Sequence, residues 1–107
     1  MLRITITDMP PSQEGLTDAE LVAVFLQGDA AAFEMLVKRY SGQIYRFLAR
    51  LVGQPQSAQD LTQETFVKVW KNLSRFDRQK SFKTWMFTIA RNTAFDHLRK
   101  QQALPIV

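Results

Sequence analysis

Apolar residues recur every three or four positions along most of this chain, with polar residues between them. That period marks amphipathic helices, because positions three and four apart share one helix face. Start and stop signals divide the pattern into four stretches. The first opens at Thr17, with Glu20 three residues on to complete a capping box and Leu16 and Leu21 placed for a hydrophobic staple. It runs through Leu21, Val24 and Phe25 and stops near Gly28. Asp29 is the expected cap of the second, and Ala30, Ala31 and Ala32 are good helix formers for its first turn. Phe33, Leu36, Val37, Tyr40, Ile44, Phe47, Leu48 and Leu51 follow as one long stripe. Gly42 is a weak point within it, a candidate bend, and Gly53 and Pro55 end it.

Ser57 is the expected cap of the third helix, with Asp60 at the capping-box position. On a helical wheel Ala58, Phe66, Val69, Trp70 and Leu73 share one side, which the pattern assigns to the core. Asp60, Gln63, Glu64, Val67 and Lys71 share the other. Ser74–Lys80 is polar and reads as a loop. Ser81 is placed to cap a fourth helix that continues to about Lys100, with Met86, Phe87, Ala90, Ala94 and Leu98 inward and Trp85, Ile89, Asn92, Asp96 and Arg99 pointing elsewhere. There is no hairpin signal and no repeat. The expected fold is all-α, a compact bundle of about four helices. Residues 1–15, with Pro10, Pro11, Ser12 and Gly15, read as a flexible lead; 16–101 form the domain; 102–107, with Pro105, read as the start of a linker.

Composition narrows the chemistry. A length of 107 residues suits one small domain. There is no cysteine and the one histidine is His97, which excludes disulfides and thiolate metal sites and argues against a histidine-built centre. The four glycines are scattered, so no phosphate-cradling loop exists, and Gly-x-Ser-x-Gly is absent. Asp60 and Glu64 lie one turn apart, but without a second acidic cluster or a nearby histidine they read as surface groups. The chain is not expected to be an enzyme or to hold a cofactor. No apolar run approaches the roughly 18 residues of a membrane span, and no basic-then-apolar leader opens the chain. A cytoplasmic location without membrane insertion is the expectation.

Charge is uneven. Residues 1–52 carry five basic against six acidic side chains, whereas 53–107 carry nine against four. Such a basic half suits a polyanion such as nucleic acid, and a solvated basic surface has the same composition.

The run Asp60-Leu61-Thr62-Gln63-Glu64-Thr65-Phe66 resembles the core-binding segment of bacterial sigma factors of the sigma-70 family. Phe76 to Arg99, with Thr84-Trp85-Met86-Phe87-Thr88-Ile89-Ala90-Arg91-Asn92, resembles the promoter-melting and −10 recognition segments that come after it. Leu21, Gly28-Asp29, Ala32-Phe33 and Leu36-Val37-Lys38-Arg39-Tyr40 look like the start of the same domain in the extracytoplasmic-function (ECF) group. The likeness covers about residues 17–100. It implies a region 2 domain, with a region 4 expected beyond Val107.

The resemblance implies two surfaces. The first is a docking ridge for the clamp-helix coiled coil of the RNA polymerase β′ subunit, made by Asp60, Gln63, Glu64, Val67 and Lys71. Val67 as an apolar centre ringed by charge fits an interface. Read without the resemblance, Asp60 caps the helix and Glu64 pairs with Lys68 four residues on. The second is a site for the non-template strand of the −10 element, with a base flipped into a pocket built by the loop Asp77–Ser81. Arg78, Lys80, Lys83, Arg91, Arg99 and Lys100 are the candidates for phosphates, and Gln79, Ser81, Asn92 and Asp96 for base edges. Trp85 stands open between stacking and core, and Phe82 reads as core. Met86 stands where housekeeping sigma factors place a second tryptophan, which implies weaker unaided melting and stricter dependence on the −10 sequence. An anti-sigma protein is a further partner the resemblance implies. Two other readings compete: a helix-turn-helix regulator of duplex DNA, and a polymerase-binding bundle without DNA contact. The Ser74–Lys80 junction is too long and too basic for the tight turn of the former.

Overall fold

In the computed structural model, residues 15–102 are described, and they fold as α1 (Asp18–Leu26), α2 (Ala30–Val52), α3 (Pro55–Asn72), a 3-10 turn (Leu73–Arg75) and α4 (Phe82–Gln102). There is no strand among the described residues. The expected lead, apart from Gly15, and the expected linker beyond Gln102 lie outside them.

Local chemistry sets the first two helix starts as expected. Thr17 Oγ1 accepts the Glu20 N–H at 3.1 Å while Glu20 Oε1 accepts the Thr17 N–H at 2.8 Å. Asp29 Oδ1 accepts the Ala31 N–H at 3.0 Å and opens α2. At the far end Gly53 takes φ +73°, a left-handed cap that suits glycine, and its N–H reaches the Ala49 carbonyl at 2.8 Å. Between these ends α2 continues as one helix through Gly42.

The third helix corrects the expected start. It begins at Pro55 rather than after Ser57. Proline at the first helical position needs no partner for its missing N–H and arrives with helical φ. The Ser57 hydroxyl bonds Gln54 Oε1 at 3.1 Å instead of capping, and Asp60 is left exposed with no capping role.

The core lies where α2, α3 and α4 meet, closed at one end by α1. Leu36, Tyr40, Ile44 and Leu48, four residues apart on α2, are all buried. Leu21, Leu36, Ile44, Leu48 and Leu73 are fully enclosed, and each contributes about 1.5–3 kcal/mol of burial. On α4, Met86, Ala90, Thr93 and Ala94 face inward, while Phe87 and Leu98, expected inside, are only partly buried. The Thr65 and Thr93 hydroxyls donate to the Leu61 and Ile89 carbonyls at 2.7 and 2.8 Å, so neither is orphaned.

Trp70 is the second correction. It is 48 % exposed, not core. Leu61, Thr65, Phe66 and Val69 take the inner side of α3, and Trp70, one step past Val69, swings to the edge. There its ring packs edge-on against Phe25 and Phe33, with centroids 4.9 and 5.0 Å apart.

A polar clasp joins α1 to α2. Arg39 pairs with Asp18 at 2.7 Å and donates to the Leu16 carbonyl at 3.0 Å, and the Tyr40 hydroxyl donates to the same Asp18 carboxylate. Burial, together with that carboxylate, pushes the Tyr40 phenol up to about 12.

Candidate nucleic-acid and polymerase interfaces

Asp60, Gln63, Glu64, Val67 and Lys71 all lie exposed on the outer side of α3. The i, i+4 pair forms as well: Lys68 Nζ sits 3.1 Å from Glu64 Oε2 and also 3.0 Å from Thr93 Oγ1 on α4. Glu64 nevertheless keeps about half of its side chain in solvent, so the pairing does not remove it from the surface. Val67, 50 % exposed, is not isolated. It lines an apolar depression of about 260 Å³ with Phe33, Phe66 and Trp70. The ridge is thus an apolar patch flanked by carboxylates and a lysine, a wider surface than the pattern of α3 alone implied.

Below α3 the chain turns sharply. Leu73 and Phe76 are buried and anchor the turn from inside. Asp77 organises the exposed loop: its carbonyl accepts the Lys80 N–H and its Oδ1 accepts the Gln79 N–H, both at 2.9 Å. Ser81 Oγ accepts the Thr84 N–H at 3.1 Å and caps α4, as expected. Residues 77–81 therefore stand exposed between two buried rings, Phe76 and Phe82.

Trp85 lies at the boundary between core and surface. It is half-buried, 4.9 Å from the Phe76 centroid and 5.9 Å from that of Phe82. The same ring lines an open pocket of about 390 Å³ with Arg75, Phe76, Asp77, Lys80, Ser81 and Thr84. Phe82 is core, 3 % exposed. Met86 is fully enclosed, so this position offers no wedge to a ligand.

The remaining candidates divide between two stripes of α4. Asn92, Asp96 and Arg99 continue the line of Trp85 at spacings of seven, four and three. Asp96 and Arg99 pair with each other, so neither is a free charge. Lys83 and Arg91 open on a different side, onto a groove with Phe47, Thr84, Phe87 and Thr88. Arg78, Gln79 and Lys100 are exposed. The elbow thus gathers Lys80, Ser81 and Trp85, and it adds Arg75, Phe76 and Thr84, which sequence reasoning did not assign to a site although they adjoin the marked residues. Phe95 is 42 % exposed, on the line of Thr84, Thr88 and Arg91. Among the described residues no cluster of His, Asp or Glu is arranged to hold a metal ion, and no helix is long and apolar enough to cross a membrane.

Known proteins share this sequence pattern and fold. The family model "Sigma-70 region 2" matches residues 36–104. The chain is 41 % identical over 81 residues to the RNA polymerase sigma-H factor of Pseudomonas aeruginosa, covering 76 % of this chain and 42 % of that protein. It is 38 % identical over 92 residues to the ECF RNA polymerase sigma-E factor of Haemophilus influenzae, covering 86 % and 48 %. The chain therefore spans less than half the length of these relatives. An NMR structure of an engineered region 2 of sigmaE in complex with GTAAAA superposes with a TM-score of 0.77 at 38 % identity, over 83 % of this chain and 93 % of that one. CnrH in complex with the cytosolic domain of CnrY gives a TM-score of 0.65 at 35 % identity, over 74 % and 51 %. The family match, the relatives and the superposed helical fold agree: the chain belongs to the sigma-70 region 2 family, in its extracytoplasmic-function group.

Proposed function

We propose that this domain is the promoter-engaging part of a transcription initiation factor, without catalysis of its own. Its α3 ridge docks on the clamp helices of RNA polymerase β′, and its elbow captures the melted non-template strand of the −10 element. The observation that carries the reading is the elbow itself. An exposed loop, Asp77–Ser81, stands beside an open pocket lined by the Phe76 and Trp85 rings and by the Arg75 and Lys80 cations. Holding a flipped base requires stacking surface and phosphate contacts together, because unstacking costs a few kcal/mol. Base–aromatic stacking returns about 1–3 kcal/mol per base. The related region 2 seen with GTAAAA supports the choice of ligand.

The loop chemistry refines the roles. Asp77 serves the turn, and Ser81 caps with its oxygen while its hydroxyl hydrogen stays free to donate to a base edge. Arg78 and Lys80 are unencumbered by ion pairs among the described residues. On the α3 side, Asp60, Glu64 and Lys71 provide charge and Val67 an apolar centre. An anti-sigma protein is a further partner, a reading supported by the related CnrH seen with the cytosolic domain of CnrY.

Fluorescence anisotropy with labelled GTAAAA and its duplex tests the strand assignment. The single strand should bind measurably and the duplex poorly; equal affinity would overturn it. Arg78→Ala with Lys80→Ala should flatten the salt dependence by about 0.7 per lost contact.

A further inference from the structure

The exposed stripe of α3 is complementary to itself. Asp60, Glu64, Val67 and Lys71 recur at spacings of four, three and four, the period of the seam along which two helices pack. On a helix of 3.6 residues per turn they fall within about 60° of arc. The stripe is divided by charge: the carboxylates of Asp60 and Glu64 precede Val67, and Lys71 follows it. Asp60 and Lys71 form no ion pair among the described residues. Glu64, although 3.1 Å from Lys68, keeps 53 % of its side chain in solvent, and Lys68 itself leans off the stripe toward Thr93 on α4. Apolar surface lies at the centre. Val67 and Trp70 are two of the large apolar side chains the fold leaves exposed, and they line one depression with Phe33 and Phe66.

Glu64 stands three residues before Val67 and Lys71 four after it. A two-fold axis passing between Val67 and Lys68 turns a second copy of α3 antiparallel to the first, and sets Glu64 of each copy opposite Lys71 of the other. The two Val67 side chains then meet at the axis. The same rotation keeps both Trp70 rings on one side of the seam, where they widen the apolar contact. A parallel pair would set Glu64 against Glu64 and Lys71 against Lys71, so charge selects the antiparallel arrangement. We infer that this face binds a second copy of the chain, as an isologous pair of α3 helices with Val67 and Trp70 at its centre and two Glu64–Lys71 ion pairs at its edges. Such pairing stands on the exposed face of α3 and does not depend on the polymerase reading. Where that reading holds, the two uses exclude each other, and a paired chain withholds Val67 from polymerase.

Sedimentation equilibrium of the 107-residue chain, over about 1 µM to 1 mM, tests it. The average mass should rise with concentration from the 12.4 kDa of one chain toward twice that value. Glu64→Lys and Lys71→Glu should each weaken pairing by at least about tenfold, because each turns two attractions into two repulsions. Mixed one to one, the two variants should pair with each other about as tightly as wild type does, since each supplies the charge the other lacks. The double exchange E64K/K71E should pair with itself, and Val67→Asp should leave single chains. If wild type stays at 12.4 kDa throughout, the inference is overturned. If wild type pairs but the single variants pair equally well, or neither the mixture nor the double exchange recovers pairing, the contact is not this one and the inference is again overturned. Strand binding at the elbow and docking on core polymerase have their own assays, and neither result bears on them.

Discussion

The Phe76 and Trp85 rings lie 4.9 Å apart between centroids, one buried and one half in solvent. The buried ring packs against its neighbour at the pocket mouth. Trp85→Ala should lower affinity for the GTAAAA strand by about 1–3 kcal/mol, the value of one stacking contact. Trp85→Phe should retain most of it. Because Trp85 also packs on Phe82, the alanine variant should lose about 1–3 kcal/mol of stability in urea melts. Binding is therefore to be measured well below the denaturation midpoint.

On the opposite side of α3, Val67 tests the polymerase ridge. It is half-exposed, so Val67→Asp should change stability by no more than about 0.5 kcal/mol. A charge set in the centre of an apolar contact should weaken binding to core polymerase by at least about 2 kcal/mol, roughly 30-fold. Strand binding by the isolated domain should not change. A pull-down titration with core enzyme and the anisotropy assay together separate the two surfaces.

Tyr40 gives a pH signature. The folded chain holds this phenol protonated up to about 12, whereas an unfolded tyrosine ionises near 10. Its contribution is complete below pH 10 and is lost as pH climbs through 12, because the unfolded chain releases the proton first. Tyr40→Phe lacks the bond to Asp18 and should be less stable by about 1 kcal/mol at pH 8. The gap should close and reverse between pH 10 and 12. Urea midpoints of both proteins across that range check the crossing.

Gly42 sits exposed in the middle of a continuous helix, where glycine costs roughly 0.5–1 kcal/mol relative to alanine. The only near neighbour of an added β-carbon is the flexible end of Arg46. Gly42→Ala should therefore raise the melting temperature by a few degrees, about 4–8 °C per kcal/mol for a domain of this size. Calorimetry of the two chains gives the answer.

Thr17, Glu20, Asp29, Gly53 and Ser81 act on backbone groups within a few residues of themselves. The helices they bound, and the inward stripe of α2, were accordingly legible from residue order alone. So was the exposed ridge of α3, since a helical period separates Asp60, Glu64 and Val67 from Ala58 and Val69. Ser57 misled because it competes with Pro55, whose fixed φ starts the helix three residues sooner.

Trp70, Arg75 and the α2 arginines belong to a different class. Whether the Trp70 ring is core or rim depends on how α3 is turned against Phe25 and Phe33, which lie on other helices. The elbow becomes a pocket only when the 3-10 turn folds Phe76 beneath Trp85. Arg46 and Lys83 share a groove only because α2 and α4 pack side by side. Periodicity is a local property carried by the backbone repeat, so residue order could state which face of each helix is apolar. Which faces meet, and which charges end up on one surface, is set by long-range packing of all four helices at once.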